Sequence, residues 1–253
     1  MSNASHPQLR NPPIVEAVFD VDCDPPPGFD LAGLETAARE QFEDQYPKFR
    51  TQFLQEHEIE TPQDAPPKMS SRLAVQAFQF LHDDDKQLVQ VRAQGFSFNR
   101  LAPYSSLDDY LPEIERTWRL YVGLVSPVKI RIIRLRYINR ILVPMTANTV
   151  DLDEFLKIGP RLPDEDRFVL SGFLNQHVAV EKDTGHQVNL VLTAQPPESE
   201  KLPVILDITV ASMTAAEPAD WASILPLIGS LRSLKNRIFL NTLTPKCIEL
   251  FQS

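Results

Sequence analysis

The sequence is poor in glycine and in cysteine, and each shortage excludes a kind of site. Only 8 of the 253 residues are glycine, and none forms the GxGxxG or GxxxxGK(S/T) loop that holds nucleotide phosphates. The two cysteines, Cys23 and Cys247, lie far apart and match no metal-binding or redox spacing. The sequence therefore predicts no nucleotide-binding loop, no cofactor and no cysteine-based metal or redox site.

Motifs for metal binding and catalysis are missing as well. The histidines show no HxH, HExxH or H-x3-H spacing, so we predict no metal site. They are His6, His57, His82, His177 and His186. No serine lies in a GxSxG motif, and neither cysteine has a histidine close in sequence. We therefore predict no catalytic residue. Whether the protein is an enzyme stays open, with a non-enzymatic role favoured.

Two histidines have acidic neighbours. His186 would lie opposite Glu181 across a predicted KDTG turn, and a Glu–His pair can act as a general base with its orienting partner. His82 precedes a run of three aspartates, 83–85, which is a conceivable metal site. Both arrangements are more typical of solvated hairpin turns, so we interpret neither as functional.

Long apolar runs are also absent. No stretch approaches the roughly 20 apolar residues that a membrane helix needs. The segment 1–13 lacks the apolar centre of a secretory signal, and isolated cysteines suit a reducing compartment. The sequence therefore predicts a cytoplasmic protein that does not contact a membrane.

Charge is unevenly distributed along the chain. The formal net charge is −9, and residues 1–66 hold 13 acidic and 4 basic residues, a balance that accounts for the whole excess. Binding to nucleic acid depends largely on neutralising phosphates with basic side chains. An acidic chain is therefore not expected to bind nucleic acid.

Hydrophobic periodicity predicts short strands and amphipathic helices. The predicted strands are 13–23, 72–81, 87–101, 129–144, 168–181, 186–195 and 202–212, and the predicted helices are 29–46, 105–125, 151–157, 220–243 and 244–251. Residues 48–71 are polar, contain prolines and show no clear period, so a long mobile loop is predicted there.

This order of elements predicts the fold class. Hairpins dominate, which favours an α+β fold with a largely antiparallel sheet and helices packed on one face. We expect a flexible tail over 1–10 and a single α+β domain over 11–253. An alternative organisation has two similar halves, 11–128 and 129–253, built from a duplicated β-α-β-β unit. It rests on the matching order of "FDVDCDPPPGFDLAGL" and "NRILVPMTANTVDLDEFL".

The predicted strand 129–144, "KIRIIRLRYINRILVP", carries several arginines. Side chains alternate between the two faces of a strand, so Arg134, Arg136 and Arg140 share one face. Tyr137 and Asn139 share the other, more apolar face, where Asn139 is expected to satisfy backbone groups at a sheet irregularity.

Two interpretations of these arginines stay open. In the favoured one they are structural, and Arg134 or Arg136 forms an ion pair with Glu16 or Asp20 on the first predicted strand. In the alternative they belong to a polar pocket for an anion or another ligand. The residues of that pocket would be Arg134, Arg136, Tyr137 and Arg140.

Three segments together carry a family resemblance: "NPPIVEAVFDV", "LRYINRILVP" and "LRSLKNRIFLNTLTPKCIELF". Their order resembles a sporadically distributed bacterial family of uncharacterised proteins. That family has an N-terminal PPIVEA strand, a central Arg-Tyr-Ile-Asn strand, and a C-terminal helix with an LT…F tail. The resemblance covers residues 11–251. It implies no activity, and the patchy occurrence of the family is typical of accessory genes, including mobile and defence-associated ones.

Three functional hypotheses follow. The favoured one is a cytoplasmic, non-enzymatic binding or assembly protein that acts on a protein partner. The alternative is a small-molecule-binding, anion-binding or enzymatic domain with a polar pocket around Arg134 and Arg136. The third, nucleic-acid handling in a defence context, rests on the family resemblance alone. A homodimer is also expected, because apolar strands such as "PVILDITV" need cover at a sheet edge.

Overall fold

The computed structural model describes residues 9–60, 68–147, 149–161, 167 and 171–252. The strands are β1 (Ile14–Asp24), β2 (Lys48–Glu60), β3 (Lys68–Leu81), β4 (Gln87–Arg92), β5 (Gly95–Leu101), β6 (Lys129–Pro144), β7 (Leu174–Val180), β8 (Gln187–Ala194) and β9 (Lys201–Met213). The helices are α1 (Glu35–Phe42), α2 (Leu107–Val125), α3 (Trp221–Thr242) and α4 (Pro245–Glu249), with 3-10 turns at Ala32–Leu34 and Leu152–Glu154. Of the predicted tail 1–10, residues 1–8 lie outside the described residues.

A single nine-stranded sheet organises the described part of the chain. Its order is β2-β3-β4-β5-β1-β6-β9-β8-β7, and every neighbouring pair is antiparallel. The predicted α+β fold with a largely antiparallel sheet is therefore confirmed. No helix in the described ranges is long and apolar enough to cross a membrane.

The chain follows a similar path on each side of the central pair of β1 and β6, with five strands on the β1 side and four on the β6 side. After β1 come a helix and a meander whose last strand, β5, returns to pair with β1. After β6 come a 3-10 turn and a meander whose last strand, β9, returns to pair with β6. Each meander leads into a long helix. The repeated path is longer than the predicted β-α-β-β unit, and the division into similar halves stays a prediction.

The helices cover one face of the sheet. Helix α1 contacts β3, α2 contacts β5, and α3 contacts β6 and β9. Strand side chains at alternate positions point into this layer, so Phe19 on β1 and Leu135 on β6 are both almost fully buried. Phe96 on β5 packs against Trp118 and Tyr121 of α2, with ring centroids 5.6 and 5.7 Å apart. We call the other side of the sheet, which these helices leave uncovered, the open face.

The loop predicted over 48–71 is wrong. These residues include β2 and the start of β3, which pair along their whole length. Near its base the hairpin is anchored by Phe49, whose ring lies 5.7 Å from Phe78 and 5.2 Å from Phe80. Further out, even apolar side chains stay exposed, with Phe53 at 57% and Leu73 at 70%. Backbone pairing needs no apolar periodicity, which is why the sequence pattern missed it. Residues 61–67 lie outside the described residues.

Two further differences concern strand positions. The run 87–101, predicted as one strand, is divided into β4 and β5 by a turn at Ala93 and Gln94. The apolar segment "PVILDITV", expected at a sheet edge, lies in β9 between β6 and β8. The edges of the sheet are β2 and β7, so the original reason for expecting a homodimer does not hold.

The close approach of β5 to β1 depends on Gly95. A Cβ atom there would lie 2.3 Å from the carbonyl oxygen of Val21 and 2.8 Å from Nη2 of Arg92. We expect Gly95→Ala to lower the free energy of unfolding by about 1–3 kcal/mol. The backbone of β1 cannot move away from the added Cβ atom without disturbing its hydrogen bonds to β5 and β6. Urea denaturation would measure this.

Gly123 provides the matched control, since it lies in α2 and a Cβ atom there would meet nothing within 4 Å. Gly123→Ala should raise the free energy of unfolding by about 0.5–1 kcal/mol. Equal effects of the two substitutions would contradict the steric role of Gly95.

Candidate functional site

Arg134 lies on the open face within a network of carboxylates. Its Nη1 is 2.7 Å from Oδ1 of Asp20, and its Nη2 is 2.6 Å from Oδ2 of Asp22. Asp20 also accepts from Nη2 of Arg92 at 2.6 Å. The register explains this arrangement, because Asp20 lies directly opposite Arg134 on the neighbouring strand. The ion pair between Arg134 and Asp20 is therefore formed.

Arg136 has a different partner from the one expected. Its Nε and Nη2 donate to the carboxylate of Asp207 on β9, with an Nη2–Oδ2 distance of 2.6 Å. On β1 the residue opposite Arg136 is Val18, and Glu16 accepts from Asn99 at 2.7 Å instead. The ion pair between Arg136 and Glu16 or Asp20 is therefore not formed, because the register offers a better carboxylate on the other side.

Arg140 lies near the end of the same row. Its Nε donates to Gln195 Oε1 at 3.3 Å, and its Nη2 forms an ion pair with Glu198. Each of the three arginines on this face thus has a carboxylate partner, which leaves no free guanidinium among them to bind an anion. Exposed pairs of this kind contribute only about 0.2–1 kcal/mol each. Their number and alignment stabilise the pairing of β1, β6 and β9.

Tyr137 does not share a pocket with these arginines. It lies on the helix-covered face, where it is buried and its hydroxyl is 3.0 Å from the hydroxyl of Tyr104. The pocket predicted to join Arg134, Arg136, Tyr137 and Arg140 is therefore divided by the sheet. Successive side chains of a strand point to opposite faces, so Tyr137 cannot line a site together with its arginine neighbours.

A cleft of about 420 Å³ lies beside Tyr137. It is enclosed by the segment before β1, the start of α2, β6 and one side of α3. The residues that line it are Leu9, Pro12, Pro13, Ile14, Tyr104, Ser105, Ser106, Leu107, Asp108, Tyr137, Asn139, Arg232, Lys235, Asn236, Phe239 and Leu240. We call it the Lys235 cleft.

The walls of the Lys235 cleft are held in place by polar contacts. Ser106 caps α2 by accepting from the backbone N–H of Asp108 at 3.1 Å. Arg232 on α3 binds the Asp108 carboxylate through two hydrogen bonds of 2.6 and 2.9 Å. The guanidinium beside it holds the pKa of the Asp108 carboxyl below its usual value. This pair joins α3 to the N-terminus of α2 and leaves the charge of Arg232 neutralised.

Lys235 is the unusual group of the cleft. Its Nζ lies 3.9 Å from the centroid of the Tyr137 ring, a cation–π contact. Within the described ranges, it has no hydrogen-bond acceptor and no carboxylate partner. Burial, with a smaller effect from the charge of Arg232, lowers the pKa of Lys235 to about 7. The amine can therefore gain or lose a proton near neutral pH.

Besides the pair of Arg232 and Asp108, the cleft contains neutral polar side chains. Burial raises the pKa values of Tyr104 and Tyr137 above the usual tyrosine range, so both hydroxyls stay protonated. Nδ2 of Asn139 donates to the Leu206 carbonyl at 2.9 Å, next to the register shift between Ile14 and Glu16 of β1. Asn139 thus lies beside the irregularity between β1 and β6, but the carbonyl that it satisfies belongs to β9, whose pairing with β6 is regular.

The three segments that carry the family resemblance meet at the Lys235 cleft. The first provides Pro12, Pro13 and Ile14; the second provides Tyr137 and Asn139; the third provides Arg232, Lys235, Asn236, Phe239 and Leu240. Sequence reasoning singled out these segments but not Lys235, whose surrounding "RSLKNR" is typical of a solvated helix face. Only the packing of α3 against β6 shows that this lysine is enclosed.

Among the described residues, the acidic side chains that lie close to histidines in the sequence do not form a site comparable to the Lys235 cleft. The carboxylate of Glu181 binds Arg237 and Thr184 rather than His186. His186 Nε2 is instead 2.8 Å from Ser230 Oγ. Among the described residues, no group of three or more His, Cys, Asp or Glu side chains could hold a metal ion.

Comparison with known proteins adds no assignment. No protein-family model matches the chain, and no curated protein matches it.

The carboxylate network of the open face predicts an energetic coupling. Asp20 accepts from both Arg92 and Arg134, so its removal leaves these two positive charges close together with one carboxylate fewer. Arg134→Ala should therefore lower the free energy of unfolding less in an Asp20→Ala background than in the parent. We expect a coupling of about 0.5–1.5 kcal/mol in a double-mutant cycle measured by urea denaturation. Arg140→Ala is the control, because Arg140 is bound at the other end of the row. Additivity of Arg134→Ala and Asp20→Ala would contradict the network.

Lys235 predicts a pH-dependent stability. The ordinary lysine pKa of 10.5 falls to about 7 in the folded protein. Below about pH 7 the folded protein therefore encloses a charged ammonium, which lowers the free energy of unfolding. This destabilisation disappears as the pH rises towards 10.5, because the amine loses its proton in the folded state. We expect Lys235→Met to raise the free energy of unfolding at about pH 6 by on the order of 1–3 kcal/mol. The gain should shrink at alkaline pH.

The exposed Lys182 in the β7–β8 turn gives the control substitution, Lys182→Met, which should show no such pH-dependent gain. Loss of stability in Lys235→Met at both pH values would show that the cation–π contact outweighs the cost of burial.

Proposed function

We propose that the protein is a non-enzymatic binding protein whose Lys235 cleft holds a small organic carboxylate. The observation that carries this proposal is the Lys235 amine, which lies inside a cleft without an anionic partner among the described residues. A buried or enclosed cation is normally paired, so the missing partner is best supplied by a ligand.

The charge balance of the cleft favours a single negative charge. Arg232 and Asp108 neutralise each other, which leaves one positive charge when Lys235 is protonated. A monocarboxylate would neutralise that charge, whereas a phosphate dianion would leave an excess negative charge in a poorly solvated site. Hydrogen bonds could come from Asn236 and from the paired hydroxyl groups of Tyr104 and Tyr137.

The remaining lining supports an apolar body for the ligand. Pro12, Ile14, Phe239 and Leu240 contribute apolar surface. The volume of about 420 Å³ lies within the range of small-molecule sites. An aromatic or short aliphatic acid fits both the charge and the lining. The site offers binding rather than chemistry, because no described group is placed to share a proton with Lys235.

The proposal predicts selective binding that can be measured by thermal shift. Benzoate and hexanoate should raise the melting temperature of the parent protein, and inorganic phosphate should not. Lys235→Met should abolish the shift, because it removes the only cation of the cleft that lacks a partner in the described structure. Arg136→Ala, on the open face, should retain it. A carboxylate-dependent shift that persists in Lys235→Met would contradict the proposal.

Proton uptake provides a second test of the same site. A bound carboxylate raises the pKa of Lys235 above about 7, so binding at about pH 8 must take up protons. Calorimetry of benzoate binding in buffers of different ionisation enthalpy should show this uptake, and affinity should fall by up to about tenfold per pH unit above about pH 7. Binding without proton uptake would place the carboxylate away from Lys235.

Other aspects of function also remain proposals. A cytoplasmic location is supported by Cys23 and Cys247, which are both buried and unpaired. Membership of the uncharacterised bacterial family is supported by the meeting of its three segments at one cleft. The open-face arginines are paired and the net charge is −9, so neither favours nucleic-acid handling.

A further inference from the structure

Strand β7 is the last strand at one end of the sheet. The hydrogen bonds Glu181 N–His186 O and Ala194 N–Phe173 O, of 2.8 and 3.3 Å, show that odd-numbered residues face β8. The N–H and C=O groups of the even-numbered residues therefore point outwards. These residues are Leu174, Gln176, Val178 and Val180. Within the described part of the chain, no strand pairs with this outer side.

The side chains of β7 do nothing to protect the edge. Leu174, Val178 and Val180 are 72%, 77% and 63% exposed. The strand "LNQHVAV" contains no charged residue and no proline, and its pairing with β8 has no bulge. Natural sheets normally protect exposed edges with those features. The other edge, β2, follows that rule, since its sequence "KFRTQFLQEHEIE" carries charges of both signs.

We propose that β7 pairs antiparallel with β7 of a second copy of this chain, about a two-fold axis at His177. The sheet then continues from one copy into the other. This inference does not depend on the ligand of the Lys235 cleft, which lies on a different side of α3.

The alternation of backbone groups supports this register. An axis at His177 places Leu174 opposite Val180 and Gln176 opposite Val178. Each outward-facing residue then meets an outward-facing residue, so all the free N–H and C=O groups along the strand find partners. A shift by one residue would set outward groups against inward ones and would lose these hydrogen bonds.

Charge favours a second copy as the occupant. Two chains of net charge −9 repel each other unless they meet at a neutral surface, and β7 carries no charge. The acidic excess lies within residues 1–66, which include the strand at the opposite edge of the sheet. Pairing through β7 thus joins the two copies at a neutral edge of each.

The side chains add apolar contact to the backbone pairing. On the open face, Leu174 of each copy meets Val180 of the other, so residues that are largely exposed in one chain become buried in the pair. Seven residues per copy form a small interface by the standards of stable dimers. We therefore expect a dimer that forms in the micromolar range and dissociates on dilution.

Sedimentation velocity from low to high micromolar concentration tests the association. The parent should shift from monomer to dimer. Val178→Lys places two like charges within the pairing strand and should weaken dimerisation by at least about tenfold. The control Leu54→Lys replaces an exposed leucine on the other edge strand and should dimerise like the parent. A parent that stays monomeric, or a dimer unaffected by Val178→Lys, would overturn the proposal.

Cross-linking tests the register through a substitution at an exposed side chain, His177. His177 faces its own copy in a non-hydrogen-bonded pair, where Cβ atoms are about 4.5–5.5 Å apart, close to disulfide distance. His177→Cys should therefore form a covalent dimer on mild oxidation, seen on a non-reducing gel, while Lys182→Cys in the adjacent turn should not. The native Cys23 and Cys247 are buried and should not contribute. Equal cross-linking of both variants would overturn the register.

Discussion

The antiparallel pairing of β1 with β6 at the centre of the sheet is the constraint on which the rest of the structure depends. These two strands begin the two halves of the sheet, and every other strand is added outwards from them. Their register places Asp20 opposite Arg134 on the open face and Phe19 opposite Leu135 on the covered face. One set of backbone hydrogen bonds therefore aligns both an ion-pair network and the hydrophobic core.

The same alternation separates two roles within "RLRYINR". The arginines point to the open face, where carboxylates of β1, β9 and the segment before β9 bind them. Tyr137 points to the other face, where it contacts Tyr104 and Lys235. The paired arginines stabilise the sheet, whereas Lys235, which has no carboxylate partner among the described residues, is the basis of the proposed ligand site.

Sequence reasoning worked where local signals were strong. The helices predicted over 105–125 and 244–251 are present as α2 and α4, and each begins at a capping side chain, Ser106 and Thr244 respectively. It did not work for β2, whose polar residues gave no period, or for the partner of Arg136. The first error arose because strand pairing tolerates polar side chains on both faces. The second arose because Arg136 binds the carboxylate of Asp207, which is 71 residues away in the sequence and comes close only through the pairing of β6 with β9.

The sequence by itself determined the fold class, the absence of nucleotide-binding motifs, and the three segments that carry the family resemblance. Alternating apolar residues and turn signals are local features, and each favours a particular backbone conformation of the segment that contains it. Only the tertiary structure decided which cations are paired, which strand forms an edge, and which lysine is enclosed. Those properties depend on strand order and register, which bring together residues distant in the chain and change the burial, charge and pKa of each.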